Sequence, residues 1–162
     1  ILIALSGANF SYETKKIVEA INNFKEFKID ITVSGVEEKY KINKSSFHNI
    51  IYLKSSASIP EEMANSNVII VGSGLIRYEA TFMEIPSLIF SLIPDHTEMV
   101  KYFTTFGTGI FGGELNKLTT NQITQIVTHL IKNKRKLTNM RLKCKSIMDE
   151  HGAARIVNLI LE

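Results

Sequence analysis

The sequence predicts an α/β domain: a parallel sheet with helices on both faces. Short apolar runs alternate with amphipathic stretches along almost the whole chain, as strand and helix do in βαβ units. The central runs, residues 68–71 and 87–90, are apolar without alternation, which is how a strand buried on both faces reads. The connections between runs are short, and short crossovers between parallel strands are the rule in such sheets.

Each element follows from its residues. Residues 1–5, Ile1-Leu2-Ile3-Ala4-Leu5, form an apolar strand. Residues 14–24 place Ile17, Val18, Ala20, Ile21 and Phe24 at helical spacing. Strands follow at 29–33 and 50–53, separated by a polar stretch, 37–47, whose pattern assigns no element. Ser58 is placed to cap a short helix, with Pro60 in its first turn and Glu61 and Glu62 at its positive end. A fourth strand spans 68–71 and a helix 75–83. Strand 87–90, helix 95–103 and a weaker strand near 109–111 come next. Helices at 120–132, 139–148 and 153–161 close the chain.

With 162 residues, one domain spanning residues 1–162 is the natural reading, long enough for a substantial core. A hydrophobic fraction of 44% and mean hydropathy of +0.06 argue against disorder. No apolar run approaches the roughly 20 residues that span a bilayer. A net charge of +3 does not by itself imply nucleic acid, though it suits a phosphate-bearing small ligand. The single Cys144 excludes an internal disulfide and points to a reducing cytoplasm. The chain opens without methionine directly on its first strand, as a domain cut from a longer protein would.

Parallel sheets bind ligands outside the carboxyl ends of their strands, so the strand-to-helix turns matter most. These are residues 6–11, 53–58, 72–77, 91–97 and 111–115. The strongest is Val71-Gly72-Ser73-Gly74-Leu75-Ile76-Arg77-Tyr78-Glu79, where a buried strand meets glycines and a helix begins at once. Glycines permit close backbone approach, and a helix start offers unpaired N–H groups to a phosphate. Glu79, about one turn on, is placed to reach ribose hydroxyls. A glycine turn needed only for tight strand–helix packing is the equally good plain reading. Arg77 stands where the dinucleotide fingerprint has its third glycine, so this is not that motif.

Ser6-Gly7-Ala8-Asn9-Phe10-Ser11 is the second candidate: its small residues admit a ligand, or Asn9 or Ser11 simply caps the next helix. In Pro94-Asp95-His96-Thr97-Glu98, Asp95 and Glu98 have capping-box spacing, and His96 can donate to a phosphate or sugar hydroxyl. His48, His129 and His151 show no metal-ligand spacing, and no metal or cofactor is expected. The basic stretch from Lys132 to Lys145 lacks interleaved aromatics and reads as a solvated helix face rather than a nucleic-acid surface. No nucleophile elbow is present.

These turns, in this order, resemble the C-terminal lobe of the glycosyltransferase-B architecture, a Rossmann-like fold. The closest group is the UDP-sugar hydrolase family of flagellin and spore-coat polysaccharide biosynthesis, in the pseudaminic acid pathway. The peptidoglycan UDP-GlcNAc transferase is more distantly similar. The resemblance covers nearly the whole chain. Ser6-Gly7-Ala8-Asn9 loosely matches the family's first turn, and residues 59–70 match its Met- and Ala-rich helix and the strand after it. Ser73-Gly74-Leu75-Ile76-Arg77-Tyr78-Glu79 falls on a Gly-Gly-Ser-Thr-Thr-Trp-Glu-like turn, and Met83-Glu84-Ile85-Pro86-Ser87-Leu88 on Leu-Gly-Leu-Pro-Ser-Leu. His151-Gly152-Ala153-Ala154-Arg155-Ile156-Val157 is close to the family's tail.

The resemblance implies roles. Gly74, Leu75 and Ile76 would give backbone N–H groups to a diphosphate, and Glu79 would hold the ribose. Leu53 and Lys54 would meet uracil through their backbone, with Ile59 beside the ring. Gly7 and Asn9 would line the site, and Asp95 and His96 would face the sugar or diphosphate. The catalytic His of the family belongs to an N-terminal lobe, the expected partner, so this chain alone is expected to be inactive. Leu75-Ile76-Arg77 replaces the family's hydroxyls and adds one cation, Arg77, which either pairs with a phosphate or sits outside the site on the helix; Asp95 brings a negative charge where the family has Asn. Those departures keep open an alternative: a non-catalytic module of surface-polysaccharide biosynthesis that has lost its nucleotide site.

Overall fold

The computed structural model describes residues 1–5, 10–42, 45–54 and 58–161. Its six strands are β1 (Leu2–Ala4), β2 (Asp30–Val33), β3 (Asn49–Tyr52), β4 (Ile69–Val71), β5 (Ser87–Ser91) and β6 (Gly109–Glu114). They form one sheet in the order β3-β2-β1-β4-β5-β6, with every neighbouring pair parallel. The order reverses between β1 and β4. Sheets wound this way open a crevice at that switch point, beyond the strands' carboxyl ends.

The helices are α1 (Ser11–Asn22), α2 (Ile59–Ala64), α3 (Ile76–Phe82), α4 (Thr97–Thr104), α5 (Thr120–Lys132), α6 (Lys134–Ile147) and α7 (Gly152–Leu161). The two-residue period of the strands sorts the core into two clusters. Ile3, Leu5, Ile31, Val33, Ile70, Leu88 and Phe90 pack with Ile17, Val18 and Ile21 of α1 and Ile123, Val127 and Leu130 of α5. Leu2, Ala4, Ile69, Val71 and Ile89 pack with Met63 of α2, Ala80 of α3, and Val100 and Phe103 of α4. Helices therefore cover both faces, as the alternation predicts. β4 and β5 are buried throughout, whereas edge strand β3 leaves Ile51 exposed.

Details differ from the sequence reading. The stretch 37–47 contributes a 3-10 turn, Glu38–Tyr40. The helix expected at 139–148 begins at Lys134, because the Asn133 side chain accepts the Lys136 N–H and caps it. β6 extends to Glu114, beyond the expected 109–111. Gly112 lets it lie against β5: a Cβ there would stand 2.5 Å from Cε1 of Phe90. The buried Cys144 thiol is pushed up to about 11 by desolvation, which keeps it protonated and unreactive at neutral pH. His48 is also structural. Its Nδ1 accepts the Ile29 N–H at 3.2 Å and its Nε2 lies 2.7 Å from Phe24 O, joining the end of α1 to β2.

Candidate functional site

The β4–α3 turn, residues 72–75, lies at the carboxyl end of β4, beside the switch point. The Gly72 N–H donates to Leu5 O at 3.0 Å, so this turn is joined directly to the end of the β1 segment. Its two glycines differ in kind. A Cβ on Gly72 would stand 2.3 Å from Leu5 O and 2.5 Å from Leu92 Cδ1, so the packing explanation holds for that residue. A Cβ on Gly74 would meet nothing within 4 Å, and Gly74 is not among the residues with positive φ. Neither close packing nor a left-handed backbone requires glycine there.

Arg77 is 3% exposed and turns back beneath this turn. One terminal nitrogen donates to the carbonyls of Ser73 and Gly74, the latter at 2.7 Å, and the other to the Tyr78 hydroxyl at 3.1 Å. The guanidinium carbon lies 4.4 Å from the Tyr78 ring centroid and 5.2 Å from that of Phe103. Aromatic faces stabilise a cation withdrawn from water. The backward reach has a simple origin, since helical side chains lean toward the helix N-terminus and Arg77 is four residues after Ser73.

The turns after β4 and β5 meet through side chains. Ser73 Oγ lies 2.8 Å from Nδ1 of the half-buried His96. Behind it, the Thr97 hydroxyl donates to Ser91 Oγ at 3.1 Å, and Ser91 donates to Ile93 O at 2.7 Å. This buried chain of hydroxyls fixes the route from β5 into α4. Ser73, Ser91, Thr97 and the buried Arg77 organise the site; sequence reasoning offered Arg77 as a phosphate partner or a bystander on the helix, not as a buried support of the turn, and gave the other three no such role. The i+4 spacing of Ser73 and Arg77 was the one available signal.

The expected capping box at Asp95 does not form. Asp95 lies exposed inside a 3-10 turn, Pro94–His96, and His96 occupies the N-cap position of α4 without a side-chain cap. Glu98 instead pairs with Lys101 at 2.7 Å. Ser58 likewise precedes α2 without capping it. Of the remaining expected residues, Leu75 is 75% exposed, Ile76 half-buried and Glu79 exposed on α3. Gly7 and Asn9 lie outside the described residues.

Leu53 and Lys54 follow β3 at the sheet's edge, where the Leu53 N–H donates to Val33 O at 2.8 Å. Ile59 opens α2 and packs on the Leu2 side of the core. Three strand spacings, roughly 14 Å, separate β3 from β4. The expected contacts thus fall into one group at Gly74–His96 and another across the crevice. A cavity of about 680 Å³ lies elsewhere, at the strands' amino ends, lined by Asp30, Asn67, Pro86 and Arg141 among others. Parallel sheets do not place ligands at that end. Among the described residues no group of three or more His, Cys, Asp or Glu is placed to hold a metal. Among the same residues no helix is long and apolar enough to cross a membrane.

No protein-family model and no curated protein sequence matches the chain, but solved structures match it in fold. MurG of Acinetobacter baumannii gives a TM-score of 0.83 at 16% identity, covering 99% of this chain and 48% of that one. The S. aureus MnaA–UDP co-structure gives 0.68 at 18%, covering 98% and 44%. The spinosyn rhamnosyltransferase SpnG, complexed with thymidine diphosphate, gives 0.70 at 14%, covering 97% and 44%. The chain spans less than half the length of each. At these identities the likeness shows the fold: the chain has the Rossmann-like architecture of the C-terminal lobe of glycosyltransferase-B proteins.

Proposed function

We propose that the chain is the nucleotide-sugar-binding lobe of an enzyme acting at the anomeric centre of a UDP-linked sugar, by hydrolysis or glycosyl transfer. The observation that carries this reading is Gly74. It sits at the switch point with open space where a side chain would stand, and no packing or backbone demand explains it. Two structures of the same fold hold UDP and thymidine diphosphate, which supports a nucleoside diphosphate as the ligand class.

In this reading Gly74, Leu75 and Ile76 meet the diphosphate through their N–H groups, and Glu79 takes the ribose hydroxyls. The Glu79 carboxylate is exposed and makes no hydrogen bond or ion pair with a described residue. Leu53, Lys54 and Ile59 receive the base, His96 and Asp95 the diphosphate or sugar, and Gly7 and Asn9 also bind the nucleotide. The parent reaction, of the kind carried out by the UDP-sugar hydrolases of surface-sugar biosynthesis, needs a second lobe. The chain alone therefore binds weakly and turns nothing over.

Calorimetric titration with UDP tests the reading directly. Binding in the millimolar range or tighter, weakened severalfold by Glu79→Ala, is the expected result. Absence of heat at millimolar UDP, or an unchanged affinity in the variant, overturns it. One observation favours a second reading, a lobe that has lost its site: Leu75 places a 75% exposed apolar side chain where the similar family carries a hydroxyl. Failure of every common nucleotide to raise the melting temperature would select that reading.

A further inference from the structure

We propose that Arg77 is a positioning residue that presents the Gly74 and Leu75 N–H groups to a phosphate or diphosphate and lends that site a buried positive charge. The inference rests on the nucleotide reading for its ligand but on separate geometry for its mechanism. A peptide unit is planar and trans, so the carbonyl of one residue and the N–H of the next point in opposite directions. Arg77 draws the carbonyls of both Ser73 and Gly74 toward its buried guanidinium. The N–H groups of Gly74 and Leu75 therefore point away from it. Two consecutive donors are aimed the same way, at a residue with nothing within 4 Å of its Cβ position. With the carbonyls held inward, an anion meets donors rather than lone pairs.

Among the described residues no carboxylate is paired with this charge. None of the eight ion pairs among the described residues includes Arg77, and its buried Nε has no hydrogen-bond partner. Its other partners are all neutral: the Tyr78 hydroxyl, Met99 Sδ at 3.4 Å, and the Tyr78 and Phe103 rings. A cation withdrawn from water is screened poorly, so its field acts strongly at short range. An anion at the turn is the natural complement to that field. Arginine holds the two carbonyls through Nη1 while Nη2 holds the Tyr78 hydroxyl, a division between two fixed nitrogens that the single ammonium of a lysine does not reproduce.

The test compares the chain with Arg77→Met and Arg77→Lys, each titrated with UDP, inorganic pyrophosphate and uridine at one ionic strength. Arg77→Met should weaken UDP and pyrophosphate about tenfold or more and leave uridine within twofold. Arg77→Lys should fall between, keeping the charge and losing the fork. Equal losses for uridine and UDP, or unchanged pyrophosphate binding, overturn the proposal by reducing Arg77 to a packing group or to none. If Arg77→Met does not fold, the ratio of UDP to uridine affinity in Arg77→Lys decides the same point. Arg77-dependent pyrophosphate binding without UDP binding upholds the proposal and sinks the nucleotide reading. UDP binding that ignores Arg77 does the reverse. Binding of neither anion to the chain overturns both.

Discussion

A methyl group added at Gly72 would stand 2.3 Å from Leu5 O, and one added at Gly74 would touch nothing within 4 Å. One turn thus contains a glycine that the fold needs and a glycine that it does not. Gly72→Ala must push apart the ends of the β1 and β4 segments, which is overpacking against backbone and costs roughly 1–3 kcal/mol. Gly74→Ala should leave stability within about 0.5 kcal/mol of the parent, yet hinder any ligand that approaches the backbone there. Urea melts of the two variants, with UDP titrations beside them, check the contrast. Gly72→Ala should lower the urea midpoint, whereas Gly74→Ala should lose UDP affinity without moving it. A destabilised Gly74→Ala, or one with undiminished UDP affinity, would remove the main support for a site at this turn. Sequence alone marks both glycines equally, because the difference resides in Leu5 and Leu92, which are distant along the chain.

Among the elements, caps show what one sequence can and cannot disclose. Asp95-x-x-Glu98 and Thr119-x-x-Gln122 share the same spacing, but only the second forms a capping box, with both reciprocal bonds made. The cause lies in the backbone. An N-cap residue needs non-helical dihedrals, most often extended ones, and Thr119 has φ −80°, ψ 159°. Asp95 sits inside a 3-10 turn begun at Pro94, and His96, which takes the N-cap position, has φ −87°, ψ −5°. Ser58, at φ −84°, ψ −3°, fails to cap α2 for the same reason. Thr119→Ala should therefore cost about 1 kcal/mol, and Asp95→Ala should stay within about 0.5 kcal/mol. Equal destabilisation in thermal melts would contradict this account. The strands were easier to read than the caps, because continuous burial leaves a mark in every residue from Ile69 to Val71. Arg77 lies between these cases. Its position on α3 was legible, but its hold on two carbonyls depends on a rotamer, and the composition of the turn does not specify one.

At the scale of the whole molecule, both faces of the sheet are closed by α1 to α6, and α7 stands outside that arrangement. None of its residues is buried, and Leu159, Ile160 and Leu161 are at least 72% exposed. Its start is held locally: Arg155 pairs with both oxygens of Asp149 at 2.9 Å. The His151 N–H, and then Arg155, hold the Asp149 carboxyl below its usual range. Exposed ion pairs of this kind contribute little, and neither hydrophobic cluster contains a residue of α7. Deleting residues 152–162 should consequently leave the urea midpoint of the chain unchanged within error. If α7 instead docked its apolar side chains on the sheet, removing them would cost several kcal/mol, as large buried side chains do on truncation. The midpoint would then fall markedly. Exposed apolar side chains grouped on one helix, here Ile156, Val157, Leu159, Ile160 and Leu161, are the kind of surface through which chains associate. The deletion should therefore also reduce any self-association seen in sedimentation velocity. A chain that is strictly monomeric with and without α7 at high concentration would show that this face is not adhesive by itself.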